Sequence, residues 1–285
     1  MRTSSRRATA AATLAGLALT ALTACGSSGG GPAPEPTPVP GAAQNGRMTI
    51  GIPFDEPGLG VKDGDTYSGF DVETAKYVAK AVGVPEANIT WVEANGADRE
   101  QLLESGGADM IVSTFTINDE RKQKVDFAGP YFQAHQDLLV RRNEEEIRGT
   151  ETLTGKNLCT IGGTTSLQNI LARYGNSVKV TEKQQYSECV TALANNEVDA
   201  VTTDDVILAG YAASPQYQGK LKVVGRGFSD ENYGIGVKKG NTTLKDQVNA
   251  ALKQYVSDGS WQRNLNTNVA PSGYRIPSPP TPGAA

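Results

Sequence analysis

The sequence predicts an α/β protein in which helices cover mainly parallel sheets. Two observations carry that expectation. From about residue 47 to residue 270, short apolar runs alternate with segments of helical period. A strand-sized run followed by an amphipathic helix, repeated, is the pattern of parallel βα units. That stretch is 224 residues long, enough for one large or two small domains. Both ends have a different composition and are set apart from it.

The run 48–54 (MTIGIPF) reads as the first strand. In 71–83, Val72, Ala75, Val78, Ala79 and Val82 share one helical face, and Gly83 and Pro85 end the helix. Strand 89–94 is followed by a short helix, DREQLLES, and by strand 109–114. Strand 136–142 comes next, and strand 157–163 leads into the helix TSLQNILARYG. SVKVTEK reads as a strand, 186–198 as a helix, 199–204 as a strand and 205–214 as a helix. KLKVVGR and YGIGVKK are strands, and one long amphipathic helix, 242–265, closes the pattern. In such sheets ligands bind beyond the carboxyl ends of strands, near helix N-termini. The loops at those ends are 55–62, 114–121, 163–166 and Thr203-Asp204.

The N-terminus has the layout of a secretory signal. Arg2, Arg6 and Arg7 precede an uncharged Ala/Leu/Thr-rich run, 8–24, that ends in small residues. Leu22-Thr23-Ala24-Cys25 resembles a bacterial lipobox, which implies that residues 1–24 are removed and that Cys25 carries lipid. Residues 25–46 are then the anchor and a disordered Gly/Pro-rich tether. The Pro-rich segment 271–285 is likewise expected to be a disordered tail. The chain carries 27 basic and 31 acidic residues, a net −4, which falls to −7 without the three leader arginines. That balance points away from nucleic acid and from anionic membrane surfaces. With Cys25 lipidated, Cys159 and Cys189 form an even pair in an oxidising compartment and are expected to be bridged, two buried free thiols being the alternative. The spacing is not that of a zinc motif, and His135 is the only histidine. No metal or other cofactor is expected.

Three ordered segments resemble a known family. GFDVETAKYVAKAVG, TINDERKQKVDFAGPY and NEVDAVTTDD are similar to the motifs of the extracytoplasmic solute-binding proteins of polar-amino-acid ABC importers, family 3. Thr74 departs from the larger aliphatic residue usual in the first motif. FDEPGLG, 54–60, most resembles the actinobacterial glutamate-binding lipoproteins of that group. The resemblance implies a two-lobe periplasmic-binding-protein fold of type II, the Venus-flytrap form, with two crossing strands. Carried onto this chain, lobe 1 is 47–130 plus 234–270, the hinge strands are 131–135 and 229–233, and lobe 2 is 136–228. It implies a monomeric receptor anchored on the outer face of the cell membrane. That receptor binds glutamate, glutamine or aspartate between the lobes and delivers it to the membrane permease.

An amino-acid zwitterion needs donors for its carboxylate and an acid for its ammonium. A guanidinium supplies a planar fork for a carboxylate, and the family motif places Arg121 in that role. Thr114 would offer its carbonyl to the ammonium, Thr116 its hydroxyl, and Asp204 its carboxylate. The helix start at Gly163, Thr164, Thr165 and Ser166 would present free amides to the carboxylate from the other lobe. Phe54 aligns with an aromatic residue that covers the ligand. Lys62, Thr165 and Thr203 are candidates to read the side chain. Asp55 and Glu56 would repel a second carboxylate unless they face away, which favours a neutral ligand such as glutamine. An enzyme on this fold would use Glu73, Glu93 or Glu120 as acid or base. A sensor docking to a membrane kinase would use the same pocket.

Overall fold

The computed structural model describes residues 46–284. The leader, Cys25 and the tether up to residue 45 lie outside the described residues. The first part of the fold contains β1 (Met48–Ile52), β2 (Asp55–Glu56), β3 (Gly60–Asp63), β4 (Thr66–Ser68) and α1 (Phe70–Ala81). It continues with β5 (Ile89–Glu93), α2 (Arg99–Ser105), β6 (Met110–Ile111), α3 (Asp119–Lys124) and the ten-residue β7 (Val125–Ala134). The second part holds β8 (Gln136–Arg141), β9 (Asn157–Ile161), α4 (Thr165–Tyr174), β10 (Lys179–Lys183) and α5 (Tyr186–Ala194). It ends with β11 (Ala200–Asp204), α6 (Asp205–Ala213) and β12 (Leu221–Val223). The chain then returns through β13 (Glu231–Lys238) to α7 (Thr242–Ser257) and α8 (Ser260–Asn268).

Two five-stranded sheets result, in the orders β5-β1-β6-β13-β7 and β10-β9-β11-β8-β12. The expectation of mainly parallel sheets is corrected to mixed ones. β1 pairs in parallel with β5 and β6, and β9 with β10 and β11. β13 is antiparallel to β6 and β7, and β8 to β11 and β12. The antiparallel strands are those that lead from one lobe to the other and back. β7 and β13 pair at Phe132–Tyr233, Gln133–Asn232 and Ala134–Glu231, after an irregularity between Tyr233 and Ile235. A third, three-stranded sheet, β2-β3-β4, was not expected from the sequence.

The 3.6-residue pattern of α1 places its apolar face as predicted: Val72, Ala75, Val78 and Ala79 are fully buried. Thr74 is buried as well, and its hydroxyl donates to Tyr255 Oη at 3.2 Å, so the polar departure is matched by a partner on α7. Behind α1, Phe70, Tyr131, Phe132 and Trp261 pack ring against ring, and Trp261 Nε1 donates to the Tyr131 carbonyl at 2.7 Å. The expected single closing helix is broken at Gly259, whose φ of 77° lies in the left-handed region that glycine adopts without strain. Cys159 on β9 and Cys189 on α5 form a disulfide across a 30-residue separation, with Cα atoms 5.4 Å apart. The free-thiol alternative is set aside.

The expectation of a disordered tail beyond Ala270 is also corrected. Tyr274 and Ile276 pack against the main core. The Tyr274 hydroxyl donates to Asp205 Oδ1 at 3.0 Å, its ring lies 6.3 Å from that of Phe132, and Gly283 N–H donates to the Gly129 carbonyl.

Candidate functional site

The ends of the parallel strands converge on one cavity. Glu56, Asn95, Gly96, Arg99, Thr114 and Thr116 wall it on the side of the first sheet. Thr164, Thr165, Ser166, Tyr186, Thr203 and Asp204 wall it on the side of the second. Most of the groups contributed are polar, with Ala94, Ile161 and Ile207 as the apolar part of the lining.

Thr114 occupies an unusual position. Its φ is 42°, a left-handed conformation that costs a β-branched residue free energy. Neighbouring bonds hold it there. Its N–H donates to Asp71 Oδ2 at 2.9 Å, and its carbonyl accepts from Arg99 Nη1 at 3.1 Å. Asp71 is completely buried in the first turn of α1 and also accepts from the Tyr131 hydroxyl. Burial brings the Asp71 carboxyl up to about 7 despite those two bonds. The Thr114 carbonyl, expected for an ammonium, is thus already bonded to Arg99. A carbonyl oxygen has two lone pairs and keeps capacity for another donor.

Arg121 does turn inward. Asn118 caps α3 by accepting from Arg121 N at 2.8 Å, and the guanidinium is 3 % exposed. Nη1 donates to the Thr116 carbonyl at 2.7 Å and Nη2 to the Gly163 carbonyl of the second lobe at 3.0 Å, with Glu100 at 3.7 Å from Nε. Burial, together with the charge of Arg99, lowers its pKa to about 9, so it stays charged at neutral pH. The arginine on the cavity wall is Arg99. It is 4 % exposed, donates through Nη1 to the carbonyls of Ser113 and Thr114, and stacks 4.7 Å from the centre of the Phe115 ring. Its Nε is buried and has no hydrogen-bond partner among the described residues. Arg99 was missed in the sequence because DREQLLES reads as a solvated helix.

On the facing wall, Thr164 caps α4, accepting from Leu167 N at 3.2 Å. The first turn of α4 therefore points its amides and the positive end of its dipole at the cavity. Thr165 donates its hydroxyl to Glu231 Oε2 at 2.8 Å. Glu231, also missed, comes from β13 and is itself held by Ser229. Thr203 donates to the Tyr186 hydroxyl at 2.6 Å. Asp204 does not cap α6 with its side chain. Its Oδ2 accepts from the Tyr233 hydroxyl at 2.6 Å, and its Oδ1 is buried without a partner among the described residues. Burial, reinforced by Glu231, pushes the Asp204 carboxyl up to about 8.

Phe54 does not face this cavity. It packs on Tyr67 at 5.4 Å with Lys62 Nζ over its ring, and lines an adjacent crevice. Lys62 is exposed and is not brought to the cavity wall. Asp55 turns away, accepting from Ser187 N at 2.9 Å, whereas Glu56 turns in.

The wall groups match no metal site among the described residues. They match a small molecule that carries both charges. The model of the bacterial extracellular solute-binding proteins, family 3, matches residues 48–269. The chain belongs to that family. It is 41 % identical over 273 residues to glutamate-binding protein GluB of Corynebacterium efficiens, covering 92 % of this chain and 89 % of the relative. It is 38 % identical over 221 residues to the ABC transporter glutamine-binding protein GlnH of Bacillus subtilis, covering 76 % and 79 %. Among solved structures, an ancestral arginine-binding protein bound to arginine matches with a TM-score of 0.73 and 33 % identity over 78 % of this chain and 98 % of that one. The fold is the type II periplasmic-binding-protein fold. The protein is an extracytoplasmic solute-binding protein, and these relatives set aside the enzyme alternative on Glu73, Glu93 or Glu120.

Proposed function

We propose that this receptor captures an acidic amino acid, glutamate above all, and delivers it to an ABC permease. One observation carries the proposal. Arg99 and Asp204 wall the same cavity from opposite lobes, and each has a buried polar atom, Arg99 Nε and Asp204 Oδ1, with no partner among the described residues. Leaving such groups unpaired costs about 1–3 kcal/mol each, more for charged ones. A zwitterion with a second carboxylate satisfies both. Asp204 takes the ammonium, with Thr114 and Thr116 beside it. The α-carboxylate lies at the start of α4, at Gly163, Thr164 and Thr165, with Arg121 behind it. Arg99 takes the side-chain carboxylate, and Thr203 and Tyr186 close that end.

The name of the GluB relative supports glutamate. Lobe 1 is taken as 47–130 plus 234–270, lobe 2 as 136–228, and the hinge as 131–135 and 229–233. A ligand that touches both lobes stabilises their closed arrangement. The lipobox-like Cys25 would tether a monomer to the outer face of the membrane.

A thermal-shift screen of the twenty amino acids at pH 7 tests the proposal. L-glutamate is expected to give the largest rise in melting temperature. A larger rise with L-glutamine, or none with any amino acid, contradicts it.

A further inference from the structure

The cavity holds a second acid that a glutamate site does not obviously want. Glu56 ends the two-residue strand β2, where side chains alternate between faces. Asp55 therefore goes to Ser187 and Glu56 goes to the cavity. Glu56 is 7 % exposed. Oε1 lies 3.4 Å from the Thr114 hydroxyl, and Oε2 is buried with no partner among the described residues. Arg99 Nε, on the same wall, is equally unpartnered, so the two are not bonded to each other.

We infer that Glu56 is a specificity-determining residue that reads the end of the ligand side chain together with Arg99. Protonated, it donates through Oε2–H to a carboxylate oxygen while Arg99 Nε donates to the other. Ionised, it accepts from the N–H of a carboxamide whose carbonyl takes the Arg99 donor. The same two residues select glutamate in one protonation state and glutamine in the other. This inference rests on the amino-acid-binding reading of the cavity and deepens it.

The surroundings of Glu56 favour the neutral acid. Burial is the largest influence, and Asp71 of α1, Asp204 of β11 and Asp55 of its own strand add to it. The Arg99 guanidinium of α2 opposes them. The hydroxyls of Tyr131 (β7), Tyr186 (α5), Tyr211 (α6) and Tyr233 (β13) also feel Glu56, and burial keeps all four neutral. The carboxyl is held well above the usual carboxylate range.

The consequence is a proton linkage that separates the two ligands. Both share the α-ammonium and α-carboxylate, so the titration of Asp204 and Asp71 cancels in the ratio of their dissociation constants. Glutamine binding releases the Glu56 proton and glutamate binding does not. The ratio Kd(glutamine)/Kd(glutamate) then falls as pH rises, by up to about tenfold per unit while Glu56 is ionised in the glutamine complex and protonated in the glutamate complex.

Isothermal titration of the full chain with L-glutamate and with L-glutamine, at pH 5.5, 7.0 and 8.5, reads this ratio. The expected result is a fall of at least tenfold across the range in the wild type. Glu56→Gln, which offers a donor and an acceptor at every pH, is expected to show a flat ratio. A ratio in the wild type that does not change with pH while both ligands bind overturns the role of Glu56 alone. Absence of binding by both ligands overturns the proposed glutamate reading of the cavity, and this inference with it; binding of glutamate alone at every pH overturns the role of Glu56.

Discussion

Asp204 and Asp71 show how single residues prepare this cavity. Each is buried, and each has its carboxyl raised, to about 8 and about 7, chiefly by loss of water. A carboxyl raised in the folded state binds more protons there than in the unfolded chain, so its contribution to stability is fully present below about pH 4 and is lost as pH rises through the folded value. The ligand-free protein is therefore expected to melt at a higher temperature at pH 5.5 than at pH 8.5, and Asp204→Asn is expected to shrink that difference. The same variant removes the anion for the ammonium and is expected to weaken glutamate binding by about 2–5 kcal/mol. A melting temperature independent of pH in the wild type, or full affinity in the variant measured by calorimetry, contradicts this account. Legibility at this scale was uneven. Asp204 and Arg121 follow strand ends and stood out, although Arg121 spends its guanidinium on the Thr116 and Gly163 carbonyls. Arg99 sits in a short charged helix and was not singled out, whereas Glu56 was expected near the site only as a charge that would repel a second carboxylate. One signal was available for Arg99: a cation at the first position of a helix opposes the dipole and calls for a specific partner.

Among the elements, those with a strong period were readable and those defined by long-range pairing were not. α1 follows from its apolar spacing, and β9, β11, α4 and α6 from alternation of strand and helix. The sheet β2-β3-β4 escaped because two- to four-residue strands carry no usable period. The register of β7 against β13 escaped because nothing local encodes a pairing between segments so distant in the chain. The disulfide joins β9 to α5 within the second lobe, and a loop of this length is worth about 3–4 kcal/mol in the chain-entropy model. A Cys159→Ser/Cys189→Ser double variant is expected to lower the melting temperature of the oxidised protein, and reductant is expected to lower that of the wild type towards it. Equal melting temperatures in all three would contradict the contribution assigned to the bridge.

At the scale of the whole molecule, the two lobes touch through glycine. A side chain on Gly163, with φ 71°, would come within 2.6 Å of the Gly96 carbonyl oxygen, and one on Gly96 within 2.6 Å of the Gly162 carbonyl oxygen. Backbone meets backbone there because neither glycine carries a Cβ. Gly163→Ala is expected to weaken glutamate binding by about tenfold, since the left-handed backbone and the close approach both penalise a Cβ. Small-angle scattering is expected to show the variant with a larger radius of gyration than the wild type at saturating glutamate. Identical scattering and affinity would show that this contact does not limit closure. The docked tail belongs to the same scale: its proline content suggested disorder, and Tyr274 against Phe132 and Asp205 overrode that composition.

The central claim is that Arg99 pairs with the side-chain carboxylate of the ligand. Calorimetric titration of Arg99→Met with L-glutamate and L-glutamine tests it most directly. Loss of the charged partner is expected to cost glutamate about 2–5 kcal/mol and glutamine distinctly less. Equal losses for both ligands would make Arg99 only a support for the Ser113 and Thr114 carbonyls, and would contradict the account.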